Sequence, residues 1–178
     1  MNDDVRECLE ILDKAVTFEE TGMAFFLDRA ENAPSEMERN LFRSLAEDEK
    51  GHKAYLLKIK GQLLVNNNPD DMQPDDDDDH HRTVREIFEH ALEQASDPYQ
   101  AEPAELEIIK GAMDVERKGY TMYSAAVETV SSERAKDIFR HLAREEQHHY
   151  SLLKNTYDYL ADPEGFNGFD ESPMLDGG

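Results

Sequence analysis

One relation in this sequence constrains the fold more than any composition figure. A step of 97 residues carries Glu19 to Glu116, Gly22 to Gly119 and Phe26 to Tyr123. The same step carries Phe42 to Phe139, Leu45 to Leu142, Ala46 to Ala143, Glu49 to Glu146 and His52 to His149, with no gap. An offset kept over so many positions marks a duplicated unit. Each copy holds two long helical patterns. Residues 3–31 place Val5, Leu9, Leu12, Val16, Met23, Phe26 and Ala30 at steps of three and four, and the slot between Val16 and Met23 holds Glu19. Residues 35–65 open on a capping box, Ser35 with Glu38, and carry the seam Phe42, Leu45, Glu49, His52, Leu56, Ile59, Leu63. Residues 103–130 carry Leu106, Ile109, Met113, Glu116, Tyr120, Tyr123, Val127 and Val130. Residues 132–160 carry Phe139, Leu142, Glu146, His149, Leu153, Thr156 and Leu160, and Asp162, Pro163 and Gly165 stop them. A helical hairpin buries only one face by itself, so two must pack together. The expected fold is all-α: a four-helix bundle of two similar hairpins joined by a long crossover.

The crossover contains a short helix expected at residues 83–95, after an acidic stretch at 66–82 that reads as a mobile linker. The bundle is taken as residues 1–160 and an acidic tail as 161–178. The chain has 178 residues, 19 basic and 41 acidic, for a net charge of −22. Half of that excess lies in the linker and tail. The balance argues against nucleic acid, whose phosphates need clustered Lys and Arg. No apolar run is long enough to span a membrane. The acidic start lacks the features of a signal peptide, so a cytoplasmic protein is expected. Cys8 is the single cysteine, which excludes a disulfide framework and any CxxC knuckle.

Six polar residues occupy seam slots: Glu19, Glu49, His52, Glu116, Glu146 and His149. Glu19 lies about 14 residues before the turn near Pro34 and Glu49 about 15 after it, so at ~1.5 Å per residue both stand roughly 22 Å from that turn. Glu116 and Glu146 stand alike about theirs, which brings all four carboxylates to one level. Burying four unpaired carboxylates costs several kcal/mol per ion, and no Lys or Arg occupies the seam beside them. Two divalent cations balance the four charges. Glu49-x-x-His52 and Glu146-x-x-His149 each put carboxylate and imidazole on one helical face. A Glu from each of two helices with ExxH from the other two is the pattern of di-iron and di-manganese bundles. These ligands suit iron or manganese, and by ligand type zinc stays open.

The segments EETGMAFF (19–26), LAEDEKGH (45–52), ERKGYTMY (116–123) and LAREEQHH (142–149) resemble the ferritin-like domain of the rubrerythrin family. The resemblance spans about residues 3–160. It implies a ferritin-like bundle with two iron ions held by Glu19, Glu49, His52, Glu116, Glu146 and His149. It also implies a non-haem di-iron oxidoreductase that reduces peroxide or dioxygen, in an oxidative-stress role. Classical members add a rubredoxin module with four cysteines, absent from these residues, so an external donor such as a rubredoxin-like protein is expected. They also carry a further glutamate at the position of Gly119.

Two other functions stay open: a ferroxidase or iron-storage protein, and a metal- or redox-sensing interaction protein. A homodimer is expected. Tyr123, two turns from Glu116, is expected to hydrogen-bond a ligand carboxylate, since a buried phenol needs a partner. Its counterpart is Phe26. His148 competes with His149 for the ligand role, and the offset selects His149. The aspartates from Asp75 to Asp79, with His80 and His81, read as solvated linker.

Overall fold

The computed structural model describes residues 3–73, 84–94 and 100–170. Its helices are α1 (Asp3–Asn32), α2 (Glu36–Asn66), α3 (Val84–Gln94), α4 (Pro103–Thr129) and α5 (Glu133–Ala161), with a 3-10 turn at Pro69–Asp71. Among the described residues there is no strand. Local hydrogen bonds set the helix ends. Ser35 Oγ accepts from Glu38 N at 3.1 Å and donates to the Glu38 carboxylate at 2.6 Å, opening α2. Ser132 Oγ accepts from Ala135 N at 3.3 Å to open α5. Pro103 starts α4, where a missing N–H removes no helical bond. α2 closes at Asn67, whose left-handed backbone (φ 53°) lets its N–H return to Leu63 O at 2.9 Å.

α1 packs along α2 and α4 along α5, α1 meets α4, and α3 lies against α2 and α5. This is a ferritin-like four-helix bundle with the short helix in its crossover. Its apolar core comes in two pieces. One joins Val5, Leu12, Leu56, Ile59, Phe139 and Leu142 at one end of the bundle. The other joins Phe26, Phe42, Leu45, Phe88, Ile109 and Leu153 at the opposite end. The midpoints of the four long helices lie between them, and there the six polar seam residues sit.

On α2 and α5 every seam residue named from the sequence is buried. On α1 and α4 the buried face is turned by one residue. Cys8, Ala15 and Gly22 replace Leu9, Val16 and Met23, while Ala112, Gly119 and Ala126 replace Met113, Tyr120 and Val127. Small side chains at the centre leave room for the glutamates facing them, and the larger neighbours pack half-buried along the flanks.

Two segments are better ordered than their acidity implies. In the linker, Met72 is buried in the first core and Gln73 N donates to Gln62 Oε1 at 2.8 Å. The rest of that linker, with the Asp75 to Asp79 run, lies outside the described residues. In the tail, Asn155 grips the backbone of Asp170: its Nδ2 donates to the carbonyl at 2.8 Å and its Oδ1 accepts from the N–H at 2.7 Å. Phe166 and Phe169 each pack 5.5 Å from Phe88 of α3. Two aromatic rings and a buried amide outweigh the charges of residues 162–170.

Candidate metal centre

α1 supplies Glu19, α2 supplies Glu49 and His52, α4 supplies Glu116, and α5 supplies Glu146 and His149. None of the six is more than 5% exposed. His52 Nδ1 lies 3.5 Å from Glu49, 3.7 Å from Glu19 and 4.0 Å from Glu146. His149 Nδ1 lies 3.5 Å from Glu116 and 3.6 Å from Glu49. The two rings stack with centroids 5.4 Å apart. No Lys or Arg is buried among the described residues, so only the imidazoles can offset the carboxylates from within the protein.

The layer is electrostatically unfinished. Both oxygens of Glu116 and Glu146, one oxygen each of Glu19 and Glu49, both nitrogens of His52, and His149 Nδ1 are buried without a hydrogen-bond partner. Orphans are rare in native interiors, because each costs its desolvation penalty. Here the site satisfies itself with protons. Burial, then the neighbouring Glu49, pushes Glu19 up to about 8. Burial also raises Glu116, and it raises Glu146 well above the carboxylate range with the help of the surrounding charges. Burial acts on Glu49 too, but interactions with Glu19, His149 and His52 outweigh it and hold that carboxyl well below its usual range. For the imidazoles burial works downward, yet the carboxylates win: His52 rises to about 10 and His149 well above its usual value. Such inverted titration is what bound cations would replace.

The donor atoms fall into two overlapping groups. One atom each from Glu19, Glu49, His52 and Glu146 lies within 4.8 Å of the others, and the same is true of Glu49, Glu116, Glu146 and His149. Glu49 and Glu146 belong to both groups. The rubrerythrin family profile matches residues 10–157. The chain belongs to the rubrerythrin family. A hypothetical protein from Pyrococcus furiosus has a similar structure, with a TM-score of 0.62 and 25% identity, over 88% of this chain and 92% of that one. No curated protein matches. The rubrerythrin domain and the buried carboxylate–histidine layer together fit a di-iron site.

Around this rubrerythrin-type layer, the Tyr123 hydroxyl donates to Glu19 Oε1, leaving Oε2 facing the layer. Burial, then the charge of Glu19, holds the phenol well above its ordinary value, so it stays a donor. His149 is buried, whereas His148 is exposed beside Glu145. Cys8 is buried in the apolar core, and its thiol is pushed up to about 11 by burial. Sequence reading missed Asp48, which lies 3.5 Å from His149 Nε2. It sits off the seam, and its one signal is its place beside Glu49. No helix among the described residues is long and apolar enough to cross a membrane.

Proposed function

We propose that this protein is a non-haem di-iron oxidoreductase that reduces peroxide or dioxygen with electrons from a separate donor. The observation that carries the proposal is the pair of four-residue groups sharing Glu49 and Glu146. In this reading Glu19 and His52 would hold one iron and Glu116 and His149 the other, with Glu49 and Glu146 within reach of both. When bound, two ferrous ions supply the two electrons that reduce an O–O bond.

The protein's own residues do the rest. Four carboxylates balance two divalent charges, so loading removes both the like-charge repulsion and the orphaned atoms. Loading also drives protons off the layer, since metal ligands must be deprotonated. Tyr123 fixes the rotamer of Glu19 and keeps a proton at its Oε1 side. Asp48 faces His149 Nε2 and so leaves Nδ1 directed at Glu49 and Glu116. The two apolar cores exclude water above and below the layer. Cys8 lies in the apolar core and takes no part in the layer. A homodimer belongs to the same reading; a monomeric mass in light scattering would refute that part.

The test is anaerobic loading with Fe²⁺ followed by stopped-flow mixing with hydrogen peroxide or dioxygen. Two ions per chain and oxidation faster than that of free Fe²⁺ are expected. Fewer ions, or no acceleration, defeats the reading. Dioxygen-driven oxidation of many successive iron equivalents per chain would instead make the protein a ferroxidase.

A further inference from the structure

The crossover helix α3 and the segment that follows α5 meet at one end of the bundle, in the core of Phe26 and Leu153. α3 has 11 residues, fewer than an isolated helix needs to persist in water. Phe88 is the one buried side chain among those described on it. Three rings surround Phe88: Tyr159 of α5 at 6.3 Å, and Phe166 and Phe169 of the tail at 5.5 Å each. Tyr159 also meets Phe166 edge-on at 5.7 Å, which closes the box. The anchor of α3 thus sits among rings of which most belong to residues 162–170.

The tail reaches that box by a defined path. Gly165 N donates to Asp162 Oδ1 at 3.0 Å, which turns the chain back along α5. Between the two phenylalanines Gly168 takes φ 112°, a conformation open to glycine and strained for other residues. Asp170 then meets Asn155, which is 1% exposed. Asn155 Nδ2 donates to Ser151 O at 2.7 Å, which orients the amide, and its second hydrogen goes to Asp170 O at 2.8 Å. Its Oδ1 accepts from Asp170 N at 2.7 Å. Both ends of the amide are therefore spent on one peptide unit, as a neighbouring strand would spend its own backbone. The contact reads backbone, and the rings read side chains.

We propose that the cleft between α3 and α5 is a peptide-binding site whose ligand is this chain's own segment 162–170, and that the bound segment is the strap that seats α3. Phe88 and Tyr159 take the two phenylalanines, and Asn155 takes the backbone at Asp170. α3 lies against α2 of the first hairpin and α5 of the second. Seating it therefore ties the crossover to both hairpins. The proposal goes beyond the di-iron reading and does not depend on it.

The test is hydrogen exchange by mass spectrometry on the full chain, comparing residues 84–94 with α1 and α4. Phe166→Ala/Phe169→Ala is expected to speed exchange in α3 by about tenfold or more while α1 and α4 keep their rates, since elements open locally with free energies of their own. Gly168→Ala removes no side chain, and its added Cβ meets nothing within 4 Å, so its effect comes from the backbone alone. It is expected to act in the same direction and by less. Asn155→Asp is expected to loosen α3 as well, because a carboxylate cannot donate to the Asp170 carbonyl. The free peptide of residues 162–170, at about the millimolar concentration that a short tether supplies, is expected to restore protection of α3 in the double phenylalanine variant. It is expected to restore none in Asn155→Asp.

Wild-type exchange of α3 in the double variant would overturn the proposal, because α2 and α5 would then seat the helix unaided. Equal acceleration in every helix would overturn it as well, as a loss of general stability. Failure of the peptide to restore protection, or equal rescue in Asn155→Asp, would defeat the binding site. If the double variant does not fold by circular dichroism, Gly168→Ala takes its place in each comparison, with the same peptide as its rescue.

Discussion

The α1–α2 and α4–α5 hairpins carry one ligand pattern, a glutamate followed on the next helix by Glu-x-x-His, and surround it differently. Glu19, from the first hairpin, is held by Tyr123, while the residue corresponding to Tyr123 is Phe26, with no hydroxyl. His149 faces Asp48 through Nε2, whereas His52 Nε2 is buried with no partner. Gly22 has room beside Glu49, and Gly119 has none beside Glu146. The duplicated residues thus provide the carboxylates and imidazoles of the buried layer. The residues that are not duplicated make the two halves chemically distinct.

The most severe way to break this comparison is to remove a shared ligand. Glu49→Ala or Glu146→Ala is expected to abolish binding at both halves, while Glu19→Ala or Glu116→Ala leaves one metal per chain; elemental analysis after dialysis separates the cases.

Withdrawing the metal from the intact protein comes next. Glu19 rises from 4.5 to about 8 in the fold and His52 from 6.5 to about 10. Both native values lie above the unfolded ones, so the folded apoprotein holds more protons than the unfolded chain. Their contribution is full below the unfolded values and is lost as pH rises, between about 4.5 and 8 for Glu19 and between about 6.5 and 10 for His52. The urea midpoint of the apoprotein is therefore expected to fall from pH 6 to pH 9, while metal affinity rises over the same range. An apoprotein midpoint that climbs with pH would contradict the protonated layer.

Asp48→Asn sharpens the difference between the histidines. It is expected to weaken binding about tenfold at the His149 half and to leave the other half near wild type, as read by a biphasic Co²⁺ titration. The smallest effect belongs to the phenol. Tyr123→Phe leaves a buried carboxylate oxygen without its donor, costing about 1–3 kcal/mol, and is expected to slow single-turnover oxidation without changing metal count. Phe26→Tyr in that background tests whether the hydroxyl works from the other half.

The gathering of six polar residues into one buried layer was legible because residues of the same type recur in register, and an offset survives any uncertainty about which helix face is inward. The inward faces of α1 and α4 were less legible. Apolar periodicity weighs large side chains, and there the centre is occupied by Ala15, Gly22, Ala112 and Gly119 because carboxylates fill the space. Asp48 escaped notice because a residue that touches a ligand from outside needs no seam position. The packing of residues 162–170 was not legible because composition averages over position: Phe166, Phe169 and the distant Asn155 are three residues, but they act on one short segment.

The division of the apolar core into two pieces has a mechanical consequence. Each end of the bundle is a cohesive block, and the waist between them holds the buried carboxyl groups and imidazoles. Any cation bound there adds its binding energy to the folded state, and adds it at the seam joining the blocks. A metal held there would be a rivet between the two blocks. Hydrogen exchange at both ends should slow together when the waist is filled, and the ends should open independently when it is stripped.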